Sequence, residues 1–303
     1  MRLKKEVRKT TIFPLLFLFL VCGNFSVEAV PINSDIGLTP YKGQFILRTQ
    51  ARFTRKADDP TNQNRKLDVF SVPIVGVYGI TSKASVLLKA PYVNRDQTTE
   101  TGLKRGDQGL GDITLLGKHR VYTRDYKGAT SRFSLLGGLE LPTGEDDESD
   151  STGVLPQTLQ LGSGSVDFVA GGAYTYQSLD YEWDMDFKYK FNQEANNFEF
   201  GDEFNYDFAY QKRFWPWVLP ERGLYDQWNA VLEFNGVYTA KNELNGNDVF
   251  ASGGHTLFLS PGIQFASQRM VYEFSYQYPI LQGLNGDQLM IDYKLAFSLR
   301  YTF

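Results

Sequence analysis

The sequence predicts an all-β fold: a transmembrane, antiparallel, up-and-down β-barrel of about twelve strands. Three observations predict it. Long segments alternate apolar and polar residues, as membrane-crossing strands do. The connections between these segments alternate between long and short. Aromatic residues make up 15% of the 303 residues and glycine contributes 28, a composition that favours strands over helices in a chain with 22% charged residues.

The N-terminal segment has the features of an export signal. Its first ten residues carry five basic side chains, and an apolar run of 11 residues follows over 12–22. Such a run is too short to cross a bilayer as a helix, but it is typical of a signal-peptide core. Val27 and Ala29 place small residues where a signal peptidase reads the chain. We therefore predict a signal peptide over 1–29, cleaved after Ala29, and a barrel over 30–303.

The clearest strand lies at the C-terminal end. From Leu289 to Phe303 every odd position is apolar, whereas the residues between them are mostly polar. At about 3.3 Å per residue this segment crosses a membrane even when tilted. The same pattern defines further segments, which bring the total to twelve. The clear ones are 44–53, 132–141, 183–191, 204–211, 228–238 and 272–278, and the weaker ones are 67–78, 84–93, 110–122, 165–178 and 256–266.

The connections alternate in length as they do in outer-membrane barrels. In such barrels short turns face the periplasm and long loops face outward, so we predict the outer membrane of a Gram-negative cell, with both termini on the periplasmic side. One even-numbered connection, 212–227, is long, and its aromatic side chains predict anchoring at the membrane interface. The long connections are 54–66, 94–109, 142–164, 192–203 and 239–255, and the short ones are 79–83, 179–180 and 267–269.

Three short motifs resemble a known family. Residues 109–113 read Gly-Leu-Gly-Asp-Ile, 141–144 read Leu-Pro-Thr-Gly and 161–167 read Leu-Gly-Ser-Gly-Ser-Val-Asp. In this order they are similar to the family labelled putative meta-pathway of phenol degradation, whose members are usually called outer-membrane transporters. The resemblance covers most of the chain after the signal and implies passage of aromatic or other hydrophobic compounds. Tyr301 and Phe303 resemble the C-terminal aromatic signal by which Gram-negative barrels are recognised for assembly.

Charged side chains at the polar strand positions predict a lumen-facing wall. Nine are basic and nine are acidic. A lumen that selects strongly for one sign of ion should carry rings of one charge, so the balanced set predicts ladders of salt bridges that brace the wall and narrow the pore. The predicted wall residues are Arg48, Arg52, Asp112, Lys118, Arg120, Arg132, Glu140, Asp167, Asp184, Asp186, Lys188, Lys190, Asp207, Glu233, Glu273, Asp292, Lys294 and Arg300.

The sequence offers little for catalysis. Of its two histidines, His119 falls on the predicted lipid face and His255 at a loop end. Neither lies in a serine–histidine or metal-ligand pattern, so we predict no enzyme, no catalytic residue, no metal and no cofactor. A net charge of −4 without a basic stripe also predicts no nucleic-acid partner.

These observations predict an outer-membrane channel or transporter for small molecules, which the resemblance implies to be hydrophobic or aromatic. Two alternatives stay open: a closed structural or adhesive barrel whose loops bind a partner, and a rim-active lipid enzyme that would have to use His119. The expected partners are outer-membrane lipid, lipopolysaccharide, the barrel-assembly machinery and a small solute of unknown identity. The sequence leaves open whether a segment folds into the bore, and which one.

Overall fold

The computed structural model describes residues 30–61, 63–220 and 225–303, so the predicted signal peptide lies outside the described residues. These ranges contain eighteen strands and one short 3-10 helix, Gln157–Leu159. Within them, no helix is long and apolar enough to span a membrane. The strands are β1 (Phe45–Asp58), β2 (Lys66–Gly79), β3 (Ala84–Thr98), β4 (Lys104–Leu110), β5 (Ile113–Tyr126), β6 (Ala129–Leu141), β7 (Ser149–Asp150), β8 (Gly153–Val154), β9 (Asp167–Ser178), β10 (Tyr181–Phe191), β11 (Phe198–Glu199), β12 (Glu203–Trp215), β13 (Gln227–Thr239), β14 (Glu243–Leu244), β15 (Asn247–Asp248), β16 (Gly254–Ala266), β17 (Met270–Leu284) and β18 (Met290–Thr302).

Twelve long strands close into one barrel. Neighbouring strands are antiparallel and follow one another in chain order, and β1 pairs with both β2 and β18, so the sheet closes on itself. Strands of up to 15 residues are long enough to cross a bilayer when tilted. The predicted up-and-down barrel and its twelve strands are confirmed. They are β1, β2, β3, β5, β6, β9, β10, β12, β13, β16, β17 and β18.

The barrel places large apolar side chains outside and polar ones inside. On β10, Met185 and Phe187 are 50% and 46% exposed, whereas Asp184 and Asp186 are buried. A soluble protein would arrange these faces the other way round, because exposed apolar surface is unfavourable in water. The arrangement matches a barrel whose outer face contacts lipid.

One predicted strand is interrupted. The sequence predicts a single strand over 110–122, but the chain forms β4 and β5, separated by Gly111 and Asp112. The C-terminal half of β3 pairs with β4, and its N-terminal half pairs with β5. The prediction of a loop over 94–109 was therefore wrong for β4, because local alternation does not show where a strand changes partner.

The two ends of the barrel differ. One end, called here the turn end, carries the short connections 80–83, 127–128, 179–180 and 267–269. The other, the loop end, carries the long connections except the one between β12 and β13, which lies at the turn end. The chain enters β1 and leaves β18 at the turn end. Trp217, in the connection after β12, is 83% exposed there.

Two segments fold inward from opposite ends. Residues 30–39, the N-terminal arch, enter the bore from the turn end, and their apolar side chains Ile32 and Leu38 are buried. Residues 142–166, the mouth loop, cover the loop end. Its Leu155 and Leu159 form an apolar cluster with Leu67 of β2. The interior space described below lies between and beside these two segments.

Candidate functional site

The N-terminal arch is bound on one side by a buried carboxylate. Glu233 on β13 accepts the backbone N–H of Ile32 at 2.6 Å and that of Asn33 at 3.0 Å. The side-chain amide of Asn33 donates to the same carboxylate at 2.6 Å. Gln264 on β16 donates to the carbonyl oxygen of Val30 at 2.8 Å. Irregular backbone inside a barrel needs such partners because it has no neighbouring strand to pair with.

The opposite wall holds the arch through its backbone. The N–H of Gly37 donates to the Thr175 hydroxyl at 2.9 Å, and the Ser134 hydroxyl donates to the Gly37 carbonyl at 2.6 Å. A Cβ at position 37 would stand 2.4 Å from the carbonyl oxygen of Arg132. Glycine is needed there because any side chain would collide with the backbone of β6. The arch therefore crosses the bore from β13 to β6 and β9.

Asp35 fixes the middle of the arch. Its carboxylate contacts the ammonium groups of Lys118 at 2.9 Å and Lys188 at 3.2 Å, and its backbone N–H donates to Asp186 at 2.7 Å. Burial alone would raise the pKa of the Asp35 carboxyl, but the two lysines outweigh it and hold that pKa well below its ordinary value. Asp35 is therefore ionised and clamped between two strands.

A second ion cluster lies nearer the turn end. The buried carboxylate of Glu273 accepts hydrogen bonds from Arg48 at 2.8 Å and from Arg300 at 2.7 Å. Arg48 also donates to the carbonyl of Ile32. This cluster joins β1, β17 and β18 to the arch, and its burial requires that each charge be paired.

A third cluster lies above the arch. Lys190 contacts the carboxylates of Glu140 and Asp167, the latter at 3.1 Å. It joins β6, β9 and β10 near the loop end. The three clusters show that much of the predicted charged wall is engaged in cross-strand pairs.

The other predicted wall residues take varied positions. Arg52 and Lys294 line the cavity that lies above the arch. Asp207 accepts a hydrogen bond from Asn235 at 3.0 Å, Asp184 accepts one from Thr175, and Asp112 accepts backbone N–H groups of the mouth loop. Arg120 and Arg132 bind Ser82 and Asp125 near the turn end, and Asp292 lies at a β-bulge opposite β1.

A cavity of about 640 Å³ lies above the arch, where it is lined by Asn33 and Asp35. A second cavity of about 510 Å³ lies beneath the mouth loop and reaches Leu161. Lys89 and Pro91 line both, so the two cavities adjoin along the bore. Together they form a chamber between the two inward-folded segments.

One side of this chamber is apolar. The inward face of β2 contributes Val69 and Val75, and that of β3 contributes Leu87 and Val93. We call the inward faces of β2 and β3 the apolar stripe. It lies opposite the charged and polar side chains of β10, β12 and β13, so the interior has an apolar side and a polar side.

The apolar stripe continues past the arch. A cavity of about 150 Å³ lies between Ile36 and Leu38 of the arch and Val77 of β2. A further cavity of about 60 Å³ lies against the same arch residues and reaches Pro40 towards the turn end. Leu87 lines both the 640 Å³ and the 150 Å³ cavities. The two small cavities beside the arch therefore lie along the apolar stripe.

Several of these residues were missed by sequence reasoning. Asp35 lies outside any predicted strand, and Lys56, Lys89 and Arg95 were not counted in the charged wall although all three line the cavities. For Lys89 the signal was weak because its neighbours on the same face are apolar.

The histidines do not meet inside the barrel. His119 lies exposed on the outer face of β5, and the His255 ring nitrogen Nε2 lies 2.8 Å from the Tyr206 hydroxyl. In the described ranges, no group of three or more histidine, cysteine, aspartate or glutamate side chains is placed to hold a metal ion.

The fold and the interior define a class: a twelve-stranded transmembrane barrel with an inward-folded N-terminal segment. Among solved structures, the COG4313 outer membrane channel from Pseudomonas putida F1 is similar, with a TM-score of 0.64 and 13% identity over 91% of this chain and 100% of that one. The CymD monoaromatic hydrocarbon channel is 14% identical over 87% of this chain and 88% of that one, with a TM-score of 0.42. At such identities the likeness concerns the fold. No curated protein sequence matches the chain.

Residues 47–277 match the family described as Putative MetA-pathway of phenol degradation. The chain belongs to this family, which confirms the resemblance read from the motifs. The match begins at Leu47 on β1, so the N-terminal arch precedes it.

Proposed function

We propose that this protein is a channel in the outer membrane of Gram-negative cells for small hydrophobic or aromatic molecules. The observation that carries the proposal is the series of adjoining cavities that follows the apolar stripe from the mouth loop to the turn end. Transfer of an apolar solute from water to such a surface is favourable by roughly 25 cal/mol per Å² of apolar area buried. The arch occupies the polar side and leaves the apolar side less filled.

The family and the known structures support this proposal from outside the chain. The Pseudomonas putida relative is an outer membrane channel, and CymD is described as a monoaromatic hydrocarbon channel. A channel function implies transport and not catalysis.

The channel function also fits the expected partners: outer-membrane lipid around the apolar outer face, lipopolysaccharide at the loop end, and the barrel-assembly machinery, which would recognise Tyr301 and Phe303. The N–H of Phe303 donates to the carbonyl of Phe45 at 2.9 Å, at the seam between β1 and β18.

The proposal is tested by blocking the apolar stripe. Leu87→Trp places a large ring where two cavities adjoin, whereas Leu88→Trp makes the same change at the next residue, which is 50% exposed on the outer face. The measurement is the initial uptake of radiolabelled toluene by Gram-negative cells whose lipopolysaccharide slows spontaneous diffusion. We expect Leu87→Trp to reduce uptake to that of cells without the protein, and Leu88→Trp to leave it unchanged.

Equal uptake by both variants would contradict passage along the stripe. Uptake that never exceeds that of cells without the protein, with the barrel shown to be folded, would favour the closed structural barrel instead. The arch, which closes much of the turn end, is the feature that would then explain the closed state.

A further inference from the structure

Five basic side chains that line the chamber form no ion pair with a carboxylate. One of them, Arg95, donates to the carbonyl oxygens of Thr158 and Gln160 in the mouth loop, and the other four are described here. Lys56, Lys89 and Lys294 form no hydrogen bond or ion pair within the described part of the chain, although Lys294 lies 4.1 Å from the centroid of the Phe258 ring. Arg52 donates only to the side chain of Gln50, at 2.9 Å. Most other cations of the interior, such as Lys118 and Arg300, are ion-paired. These four form an unpaired set.

The four cations lie on adjoining strands around the apolar stripe. Lys56 on β1 is opposite Leu67 of β2, and Lys89 on β3 is opposite Val75. Directly opposed residues of neighbouring strands have Cβ atoms about 4.5–5.5 Å apart. Lys294 lies on β18, the other neighbour of β1. Positive charge therefore borders an apolar surface at a distance that one small molecule can bridge.

The carboxylates of the interior attract this set but form no ion pair with it. Glu140 attracts Lys89, and Glu203 and Asp207 attract Lys294, whereas Arg52 repels both lysines. Among the carboxylates that line the chamber, Asp112, Glu203 and Asp207 form no ion pair. Asp112 accepts backbone N–H groups of the mouth loop, and the other two lie on β12, five strands from β1 and from β3. The unpaired groups thus leave an excess of two positive charges, concentrated on the side of the stripe. Like charges close together in a partly desolvated site favour binding of an anion.

We propose that this surface binds small carboxylates with an apolar body, such as aromatic monocarboxylates. The carboxylate would accept hydrogen bonds from Arg52 and the lysines, and the apolar body would lie on Val75 and the rest of the stripe. Arginine suits this role because its guanidinium group can donate two parallel hydrogen bonds to one carboxylate. A role for the site in passage rests on the channel function proposed above, whereas binding itself does not.

The first experiment measures equilibrium binding to the folded barrel in detergent by calorimetry, with benzoate as the probe. Benzamide has the same shape without the charge, and acetate has the charge without the ring. We expect benzoate to bind more tightly than either. We also expect added salt to weaken the binding of benzoate and not that of benzamide, because salt screens the attraction between charges. Equal binding of benzoate and benzamide would overturn the proposal.

The second experiment removes single charges. Lys89→Gln and Lys294→Gln should each weaken benzoate binding about tenfold or more, the usual effect of losing a hydrogen bond between charged groups. Binding of benzamide should not change. Lys83→Gln is the matched control, because it removes the same charge from an exposed turn outside the chamber. Unchanged benzoate affinity in both chamber variants would overturn the proposal, and if neither folds, the comparison of probes on the unaltered protein decides it.

The two proposals can fail separately. Toluene uptake that depends on Leu87, without preferential benzoate binding, would reject the carboxylate site and leave the channel standing. Preferential benzoate binding that Lys89→Gln weakens, without toluene uptake, would support the site and reject the proposed passage.

Discussion

The substitution Glu233→Gln should loosen the N-terminal arch. Glu233 is fully buried and accepts the backbone N–H groups of Ile32 and Asn33 together with the side-chain amide of Asn33. All of its arch partners are donors. Glutamine replaces one accepting oxygen by an NH2 group, which is itself a donor and faces the N–H groups of the arch.

The expected effect follows from the number of bonds affected. Replacing one oxygen removes at least one good acceptor and weakens the remaining bonds by removing the charge, so we estimate a loss of about 2–3 kcal/mol at about 1–1.5 kcal/mol per bond. That loss raises the ratio of released to docked arch by about 30- to 140-fold, since 1.4 kcal/mol corresponds to tenfold. The barrel itself should stay folded because the strand pairing of β13 is unaffected.

Cysteine labelling measures this ratio. The sequence has a single cysteine, Cys22, which lies in the predicted signal peptide. Ser34, which is 7% exposed, can therefore carry the only cysteine of a protein of residues 30–303 as Ser34→Cys. When the arch opens and closes faster than the reagent reacts, the labelling rate is proportional to the released population. Glu233→Gln should raise the rate by the factor estimated above.

A cysteine at the exposed turn residue Lys83 serves as the control, and its labelling rate should be the same with and without Glu233→Gln. If labelling at position 34 changes by less than about threefold, equivalent to less than about 0.7 kcal/mol, Glu233 does not hold the arch and the reasoning fails. A released arch should also raise the single-channel conductance of the barrel in a planar bilayer.

Two further predictions concern the wall and the mouth loop. Gly138→Ala should lower the free energy of unfolding by about 1–3 kcal/mol through overpacking, because the new Cβ would stand 2.0 Å from a carbonyl oxygen of β5. Gly137→Ala is the control and should have little effect, because its nearest contact would be 3.6 Å away. Urea unfolding of the protein in vesicles measures both. Arg105 holds the pKa of Asp150 below its ordinary value, so the stabilising contact is complete above about pH 4 and is lost as pH falls through the lowered value. The Thr152 amide donates to Asp150, so its hydrogen exchange, corrected for the intrinsic rate, should be faster in acid than at neutral pH. In the Asp150→Asn variant this amide should exchange rapidly under both conditions.

The barrel was predictable because the two faces of most strands lie in different environments, lipid and lumen, and the residues alternate accordingly within each strand. On β10 the alternation of Met185 and Phe187 with Asp184 and Asp186 is complete within a few residues, so no distant partner is needed to recognise it. β2 and β3 gave weaker patterns for a physical reason. Their inward faces form the apolar stripe, and a strand that is apolar on both faces shows little alternation.

The arch was not predictable in the same way. Ile32 and Glu233, which bind each other, are separated by 201 positions, and no local pattern relates them. The available signal was the stretch of residues 30–43 between the predicted cleavage site and the first predicted strand, to which no element was assigned. The roles of its glycine and its buried apolar side chains depend on a bore that distant segments of the chain form, so they could not be predicted from the local sequence.

Counting charges also could not reveal the chamber. Nine bases against nine acids suggested a neutral, braced wall, and many of those residues are indeed paired. Which cations lack partners depends on strand register, as for Lys89 opposite Val75. The prediction of a lumen-facing wall stays a prediction for residues such as Asp292, which lies at a bulge.

The long sequence separations within the arch also bear on the order in which the molecule folds. The arch leaves the ribosome before any strand, yet its partners Thr175, Glu233 and Gln264 are added much later. Closing contacts over such distances is slow, because the chain entropy of large loops must be overcome first. The arch is synthesised before every strand of the barrel and is nevertheless among the last parts to reach its final position, so a newly closed barrel should pass through an unplugged stage.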